Sequence, residues 1–311
     1  MAPQHIPTPT CPSLPPEIWI RILSHHLDLT HLWTTCRRVS STFQAYVEQA
    51  FAETHLRSTQ IDFQLEKHNL GGRTRRPEVP CTFSHFSSDA GKLRVYFTDK
   101  RGKREVSREE KGGYEKVMGR WEERVRMSKP ETPHYTISLG GTVNDTGLPG
   151  LKLNAKERAI EFKWRDMLTL FFREQAWMRA LRARWCVDVK NQVSNNHARF
   201  VMGEKLAPSG IPHPWPIAQL EFRKQIRRKR LKEAYQDDEE MTWAIGSLVY
   251  FERCSAYSQG NKRFTSVTNI RIPEAAFGER WFNSVYLLQG LFLDEWSCLH
   301  RIDVKREHLG L

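Results

Sequence analysis

The amino-terminal fold follows from residues 14–43, which read LPPEIWIRILSHHLDLTHLWTTCRRVSSTF. Two consecutive prolines come just before an apolar stripe that begins at Ile18, and proline fits the first turn of a helix. Thr30 is suited to cap a second short helix, and Ser40 or Ser41 is suited to cap a third. The segment therefore predicts three short helices.

Apolar side chains in this segment are too many for three short helices to enclose by themselves. An apolar surface of this extent needs a cover, which is either the chain's own residues 61–311 or another polypeptide. Each such side chain contributes about 1.5–3 kcal/mol when fully buried, so a few would suffice to anchor a partner. They are Leu14, Ile18, Ile22, Leu23, Leu27, Leu29, Leu32, Val39 and Phe43.

A known sequence pattern recurs over residues 14–51. The matching positions are Leu-Pro-Pro-Glu-Ile at 14–18, Ile-Leu-Ser at 22–24, Leu27, Leu32, Cys-Arg-Arg-Val-Ser at 36–40, and Phe43. In these positions the segment resembles an F-box. The sequence of residues 31–40 is similar to that of filamentous-fungal F-box proteins. The match covers both ends and the middle of the pattern, but only a small part of the chain.

The resemblance implies a function in protein–protein interaction. In the F-box family this surface binds a Skp-type adaptor, which links it to the cullin of a ubiquitin ligase. The chain would then consist of a flexible leader (1–13), an F-box (14–55) and a target-binding domain (61–311), and would act as a non-catalytic substrate receptor. The residues that the resemblance assigns to adaptor docking are Leu14, Pro15, Ile18, Ile22, Leu23, Leu27, Leu32, Val39 and Phe43.

One spacing departs from the family pattern. Two residues, His25 and His26, separate the Ile-Leu-Ser step from Leu27, where the family has one. An extra residue inside a helix would rotate everything after it by about 100°, whereas a loop at the end of the helix can absorb it. The position of Leu27, and with it the affinity for the adaptor, depends on whether the extra residue lies inside the helix or in the loop after it.

Charge is distributed unevenly along the chain. The formal net charge is +12, from 48 basic and 36 acidic residues, yet the first 60 residues hold four of each. This difference predicts a neutral amino-terminal module and a basic remainder. A basic remainder favours a target with an acidic or phosphorylated surface.

The densest basic run is Arg223–Lys232, which an acidic run follows at Asp237–Glu240. The first interpretation is a long solvated helix, and the second is a nuclear-import signal or a patch for an acidic partner. The third is nucleic-acid binding, which we do not expect because no RRM, KH or zinc-finger signature accompanies the charge. Two alternatives to a ligase subunit thus remain: an F-box protein that binds the adaptor outside a ligase, and a basic nucleic-acid-associated protein.

The remainder of the chain mixes helical and strand patterns, which predicts an α+β class with a carboxy-terminal domain of unassigned fold. The predicted helices are Tyr114–Met127, Arg165–Trp185, Ile217–Tyr235, Glu240–Tyr257 and Phe282–Leu299. The predicted strands are Ile61–Leu65, Leu93–Thr98, Tyr135–Leu139, Leu151–Leu153, Ala159–Trp164 and Thr268–Ile272, with a hairpin around Asn154–Arg158.

A proline-rich stretch over Pro208–Pro216 predicts a loop. Within it, Trp215 lies between two prolines, which suits either a recognition anchor on the surface or a side chain that fills a gap in the core. Both interpretations of this tryptophan remain open.

Motifs for catalysis are absent from the sequence. It contains no GxGxxG, GxxxxGK[ST], GxSxG or HExxH pattern. His25 and His26 are adjacent, so they would point to different faces of a helix rather than toward one metal ion. We therefore expect no catalytic residue, no metal and no cofactor.

The sequence contains no segment that would direct the protein into or across a membrane. The longest apolar stretch, Val285–Leu293, is far shorter than the roughly 20 residues that a spanning helix needs. No secretory signal is visible, and the six widely spaced cysteines form no CxxC pair, which favours reduced thiols. These observations predict a cytoplasmic or nuclear protein with no membrane partner.

Overall fold

The computed structural model confirms the α+β class, with helices packed around an antiparallel sheet. It describes residues 14–66, 77–89, 91–102, 113–206, 210–260 and 279–311. The predicted leader and the predicted strand Thr268–Ile272 lie outside the described residues.

Seven strands form one sheet in the order β5-β4-β1-β2-β3-β7-β6, and every neighbouring pair is antiparallel. In the central register, Ile61 lies opposite Cys81 on one side and opposite Ile137 on the other. The strands are β1 (Gln60–Gln64), β2 (Glu78–Phe86), β3 (Arg94–Asp99), β4 (Tyr135–Leu139), β5 (Thr142–Asn144), β6 (Lys152–Asn154) and β7 (Ala159–Lys163).

Strand β2 is the longest strand, and the sequence analysis missed it. Pro80 lies inside it, opposite Asp62 of β1, and a proline ordinarily argues against a central strand because it cannot donate to the ladder. The pairing of β2 with β3 begins only at Cys81, so Pro80 lies beyond the end of that ladder. A proline is tolerated there. The short strand β5 was also missed.

The helices mostly follow the predicted ranges. They are α1 (Pro16–Ser24), α2 (Leu29–Thr34), α3 (Ser41–Ala50), α4 (Gly113–Arg126), α5 (Trp164–Val201), α6 (Trp215–Ala234), α7 (Glu239–Gly260) and α8 (Glu279–His308). A 3-10 turn covers Cys36–Arg38, and a π-helical turn covers Phe51–His55.

Most helix boundaries differ from the prediction by one to three residues, and the ends of α5 and α8 differ by more. Helix α5 continues well past Trp185, because no glycine or proline interrupts it until Gly203, whose φ is +82°. Helix α8 likewise runs past Leu299. The predicted loop ends at Pro214, because Trp215 and Pro216 already form the first turn of α6, where proline is tolerated.

The main hydrophobic core is shared by the amino-terminal helices, the sheet and α5. Trp33 of α2 contacts Phe51 edge-on, with ring centroids 4.8 Å apart, and lies 6.3 Å from Phe172 of α5. On the other side of the sheet, the Lys305 ammonium of α8 lies 2.6 Å from the buried Asp62 carboxylate of β1. The amino-terminal helices are therefore built onto the body of the protein.

The turn between β4 and β5 is shaped to receive α2. Gly140 has φ +55°, and a Cβ at this position would lie 2.4 Å from Cδ1 of Leu29. Only glycine combines this left-handed conformation with so close an approach. Leu29 is thereby fixed against the sheet.

Candidate functional site: the outward face of the amino-terminal helices

Helix α1 presents an apolar stripe to solvent. Pro16 begins the helix and Glu17 lies in its first turn, where a carboxylate favours the positive end of the helix dipole. Ile18 and Ile22 lie one helical turn apart and are 44% and 49% exposed. On the other side of α1, Leu23 is buried in the core.

The two histidines that depart from the family spacing lie beyond the end of α1. Its last residue is Ser24, and His25 is the C-cap. The Nδ1 atom of His26 accepts a hydrogen bond from the backbone N–H of Asp28 at 3.0 Å, which closes the loop. The loop therefore absorbs the extra residue without rotating a helix. Leu27, in this loop, is 99% exposed.

Helix α2 begins two residues earlier than a Thr30 cap would allow. Its N-cap is Asp28, whose carboxylate accepts a hydrogen bond from the His31 N–H at 2.9 Å. Thr30 is instead buried within the helix, so the predicted cap is wrong. Asp28 supplies the cap instead, and its carboxylate also forms an ion pair with Arg179 of α5, at 2.6 Å.

The inner side of α2 is fixed on α5. Leu32 and Trp33 are both buried, and the indole Nε1 of Trp33 donates a hydrogen bond to Oγ1 of Thr169 at 3.2 Å. A buried indole N–H needs such a partner, because leaving it unsatisfied would be costly. Leu32 therefore serves the core of the chain and is not available to a partner in this structure.

Several hydrogen bonds to one carboxylate connect α3 to its neighbours. The Glu48 carboxylate accepts hydrogen bonds from Arg37 at 2.6 Å, from Arg165 of α5 at 2.6 Å and from Gln44 at 3.0 Å. Burial alone would raise the pKa of Glu48, but the hydrogen bonds from Gln44, Arg37 and Arg165 outweigh it and hold that pKa below its usual value. The amino-terminal helices are thus held rigidly on the body.

The start of α3 completes the outward face. The hydroxyl of Ser40 accepts a hydrogen bond from the Phe43 N–H at 3.1 Å, which confirms Ser40 as the cap. The half-buried Phe43 ring packs against Trp19 of α1, with ring centroids 5.2 Å apart. Val39, just before this cap, is 67% exposed.

The structure divides the nine residues that the resemblance assigns to docking into three groups. Leu23 and Leu32 are buried by the chain itself, so they support the surface from below. Leu14 and Phe43 are half-buried. The outward group is Pro15, Ile18, Ile22, Leu27 and Val39.

The basic run on α6 is mostly turned inward. Arg227 and Arg228 are buried, and their guanidinium groups lie 2.5 Å from Asp145 and from Glu295 respectively. Arg230 also contacts Asp145, at 2.7 Å. The prediction of a solvated helix is therefore wrong for these arginines, and they do not form an open basic stretch in the folded protein.

Trp215 is a packed side chain rather than a free anchor. It is half-buried, and its ring lies 5.1 Å from that of Trp185 and 6.2 Å from that of Phe222. The Arg182 guanidinium lies over its face at 4.9 Å. Trp215 thus joins the first turn of α6 to α5.

Metal-binding side chains do not converge in the described part of the chain. There, no group of three or more His, Cys, Asp or Glu side chains is placed to hold a metal ion. Cys36, Cys81, Cys186 and Cys298 are free thiols. No helix within the described ranges is both long enough and apolar enough to cross a membrane.

Sequence reasoning missed the contacts that orient this face. Glu48 and Arg165 are 117 residues apart, and Asp28 and Arg179 are 151 residues apart. No local pattern reveals such pairs, although the apolar periodicity of α5 did predict a helix for them to reach.

No protein-family model matches the chain, and comparisons with curated proteins and with solved structures find no match either. The function has to be inferred from the residues and their geometry.

Proposed function

We propose that this protein is a non-catalytic substrate receptor of a Skp–cullin–F-box ubiquitin ligase. One observation carries the proposal: four residues of the F-box-like pattern are exposed to solvent beside helices that are otherwise fixed to the body. They are Ile18 and Ile22 on α1, Leu27 in the loop after it, and Val39 just before α3. A surface with this many exposed apolar side chains is typical of a protein-binding site.

Energetics support a partner rather than a chance exposure. The inner neighbours Leu23 and Leu32 already supply the core, so Ile18 and Ile22 contribute little to folding. Because each is already about half covered, burying the exposed remainder under a partner would release about 0.7–1.5 kcal/mol per side chain, so the stripe would act through several such side chains together. Rigid support from Glu48 lowers the entropy lost on binding.

The mechanism is proximity. The amino-terminal helices hold the adaptor, while the sheet and the helices from α4 onward hold a target protein. Tethering both in one assembly raises the effective concentration of the target near the charged ubiquitin-conjugating enzyme. The protein needs no catalytic residue of its own for this function.

Co-purification with a fungal Skp-type adaptor and its cullin tests the proposal. The double variant Ile18→Asp, Ile22→Asp places two charges on the outward stripe, and we expect it to lose the adaptor and the cullin together. The matched control is the double variant Val187→Asp, Val193→Asp, which places two charges at exposed apolar positions of α5 (58% and 52%), far along the chain from the pattern. It should keep both.

Three results would contradict the proposal. Wild-type protein that recovers no adaptor would exclude docking, and a double variant that recovers it normally would exclude this surface. Recovery of the adaptor without cullin would favour an adaptor-binding protein outside a ligase. Circular dichroism of the double variant shows whether its fold is retained.

A further inference from the structure

A small cavity lies where α5, α6, α8 and strand β5 meet. Its volume is about 80 Å³, which is room for several water molecules. Four arginines line it, together with two carboxylates and the amides of Gln175 and Gln219. The charged lining residues are Arg223, Arg227, Arg230, Arg306, Asp145 and Glu174.

The inner charges of this cavity balance one another. Asp145 lies 2.5 Å from Arg227 and 2.7 Å from Arg230, and Glu174 lies 3.5 Å from Arg230. Burial would raise the pKa of Asp145, but Arg230 and Arg227 outweigh it and hold that pKa far below its usual value. Asp145 is therefore ionised at neutral pH, and the two inner arginines are compensated.

The outer charges do not balance. Arg223 forms an ion pair with Asp303, which is itself exposed and does not line the cavity. The Arg306 guanidinium forms no hydrogen bond or ion pair with any residue in the described part of the chain. Burial lowers the pKa of Arg306 and the neighbouring Arg223 lowers it further, while the nearby Asp303 carboxylate offsets only part of this.

Further hydrogen-bond donors are free at the same place. The side-chain amides of Gln175 and Gln219 are half-buried, line the cavity and donate to no described residue. Deeper in the lining, Nε of Arg227 and Nε of Arg230 are buried without a hydrogen-bond partner among the described residues. Two outer arginines that share the single carboxylate of Asp303, with free amides around them, match an anion with several acceptor oxygens.

We propose that this cavity binds a phosphate group through Arg306 and Arg223, with Gln175 and Gln219 as additional donors. A phosphate carries close to two negative charges at neutral pH and three strong acceptor oxygens, and arginine binds it with two parallel hydrogen bonds. A carboxylate has one charge and two oxygens, which is a poorer match to two arginines and two amides. The proposal does not depend on adaptor docking.

Thermal unfolding and calorimetry on the whole chain test the site with two probes. The first is inorganic phosphate, and the second is N-acetyl-O-phosphoserine amide, which stands for a phosphorylated side chain. We expect phosphate to raise the Tm relative to chloride and to acetate at the same ionic strength. Whichever probe binds more tightly identifies the source of the phosphate group.

The variant Arg306→Gln should bind the better probe about tenfold more weakly or worse, because it loses a charge-assisted contact. The matched control, Arg184→Gln on the exposed part of α5, should bind it like the wild type. In phosphate-free buffer Arg306→Gln should be at least as stable as the wild type, since it removes a partly desolvated charge that Asp303 compensates only in part.

Four results would overturn the proposal. They are an unchanged Tm with both probes, an equal response to acetate, undiminished binding by Arg306→Gln, and equal losses in Arg306→Gln and Arg184→Gln. Equal losses would mean that phosphate binding depends on the net charge of the protein rather than on the cavity.

Discussion

Helices α1 and α6 distribute their side chains in opposite ways. Helix α1 keeps Ile18 and Ile22 in solvent, whereas α6 carries Arg227 and Arg228 into the interior. The two helices differ because of which side chains lie around them. Acidic residues just after β5 and on the neighbouring helices surround α6, while nothing in the described part of the chain covers the outward side of α1. Exposed apolar groups and buried charges are both departures from the ordinary distribution, and only the buried charges find their compensation within the chain.

The first test of this comparison removes the carboxylate that pairs with the buried arginines of α6. Asp145→Asn leaves Arg227 and Arg230 buried without their main counter-charge, so the free energy of unfolding should fall by about 3–5 kcal/mol. Urea denaturation measures it. The control Asp303→Asn, at an exposed ion pair, should cost less than about 1 kcal/mol. Equal, small effects would mean that the interior charges of α6 are solvated.

The second test contrasts the two sides of the amino-terminal helices. Leu32→Ala removes a fully buried side chain and should lower the free energy of unfolding by about 2–5 kcal/mol. Leu27→Ala, at an almost fully exposed position, should change it by less than about 0.5 kcal/mol. The same denaturation experiment applies. A comparable cost at both positions would show that Leu27 is covered by the chain itself.

A smaller effect should appear in the pH dependence of stability. The folded pKa of Glu48 lies below its ordinary value of 4.5. Its contribution is therefore fully present above pH 4.5 and is lost as the pH falls through the lower folded value. Below pH 4.5, the Tm of the wild type should fall more steeply than that of Glu48→Gln. Parallel curves would mean that Arg37 and Arg165 do not stabilise the ionised form.

Much of the fold could be predicted from local patterns. Strand β4 was predicted with its observed bounds, and Ser40 was one of the two residues predicted to cap the third helix, because alternation and capping are properties of neighbouring residues. Strand β2 could not be predicted, since Pro80 is tolerated only where the ladder with β3 has not yet begun. That condition depends on strands far apart in the sequence.

The candidate site was predictable only in part. The pattern at 14–43 identified the helices, but it could not separate Leu23 and Leu32, which face the core, from Ile18 and Ile22, which do not. That division depends on α5 and the sheet. Likewise, the run at Arg223–Lys232 indicated charge, while the acids that pair with it come from elsewhere in the chain.

Titration of the purified chain with a purified Skp-type adaptor in a calorimeter tests the central claim most directly. Wild-type protein should bind saturably at one adaptor per chain, and the folded double variant Ile18→Asp, Ile22→Asp should give no measurable heat of binding. Binding of the double variant with the affinity of the wild type would contradict the claim that this outward stripe is an adaptor-docking surface.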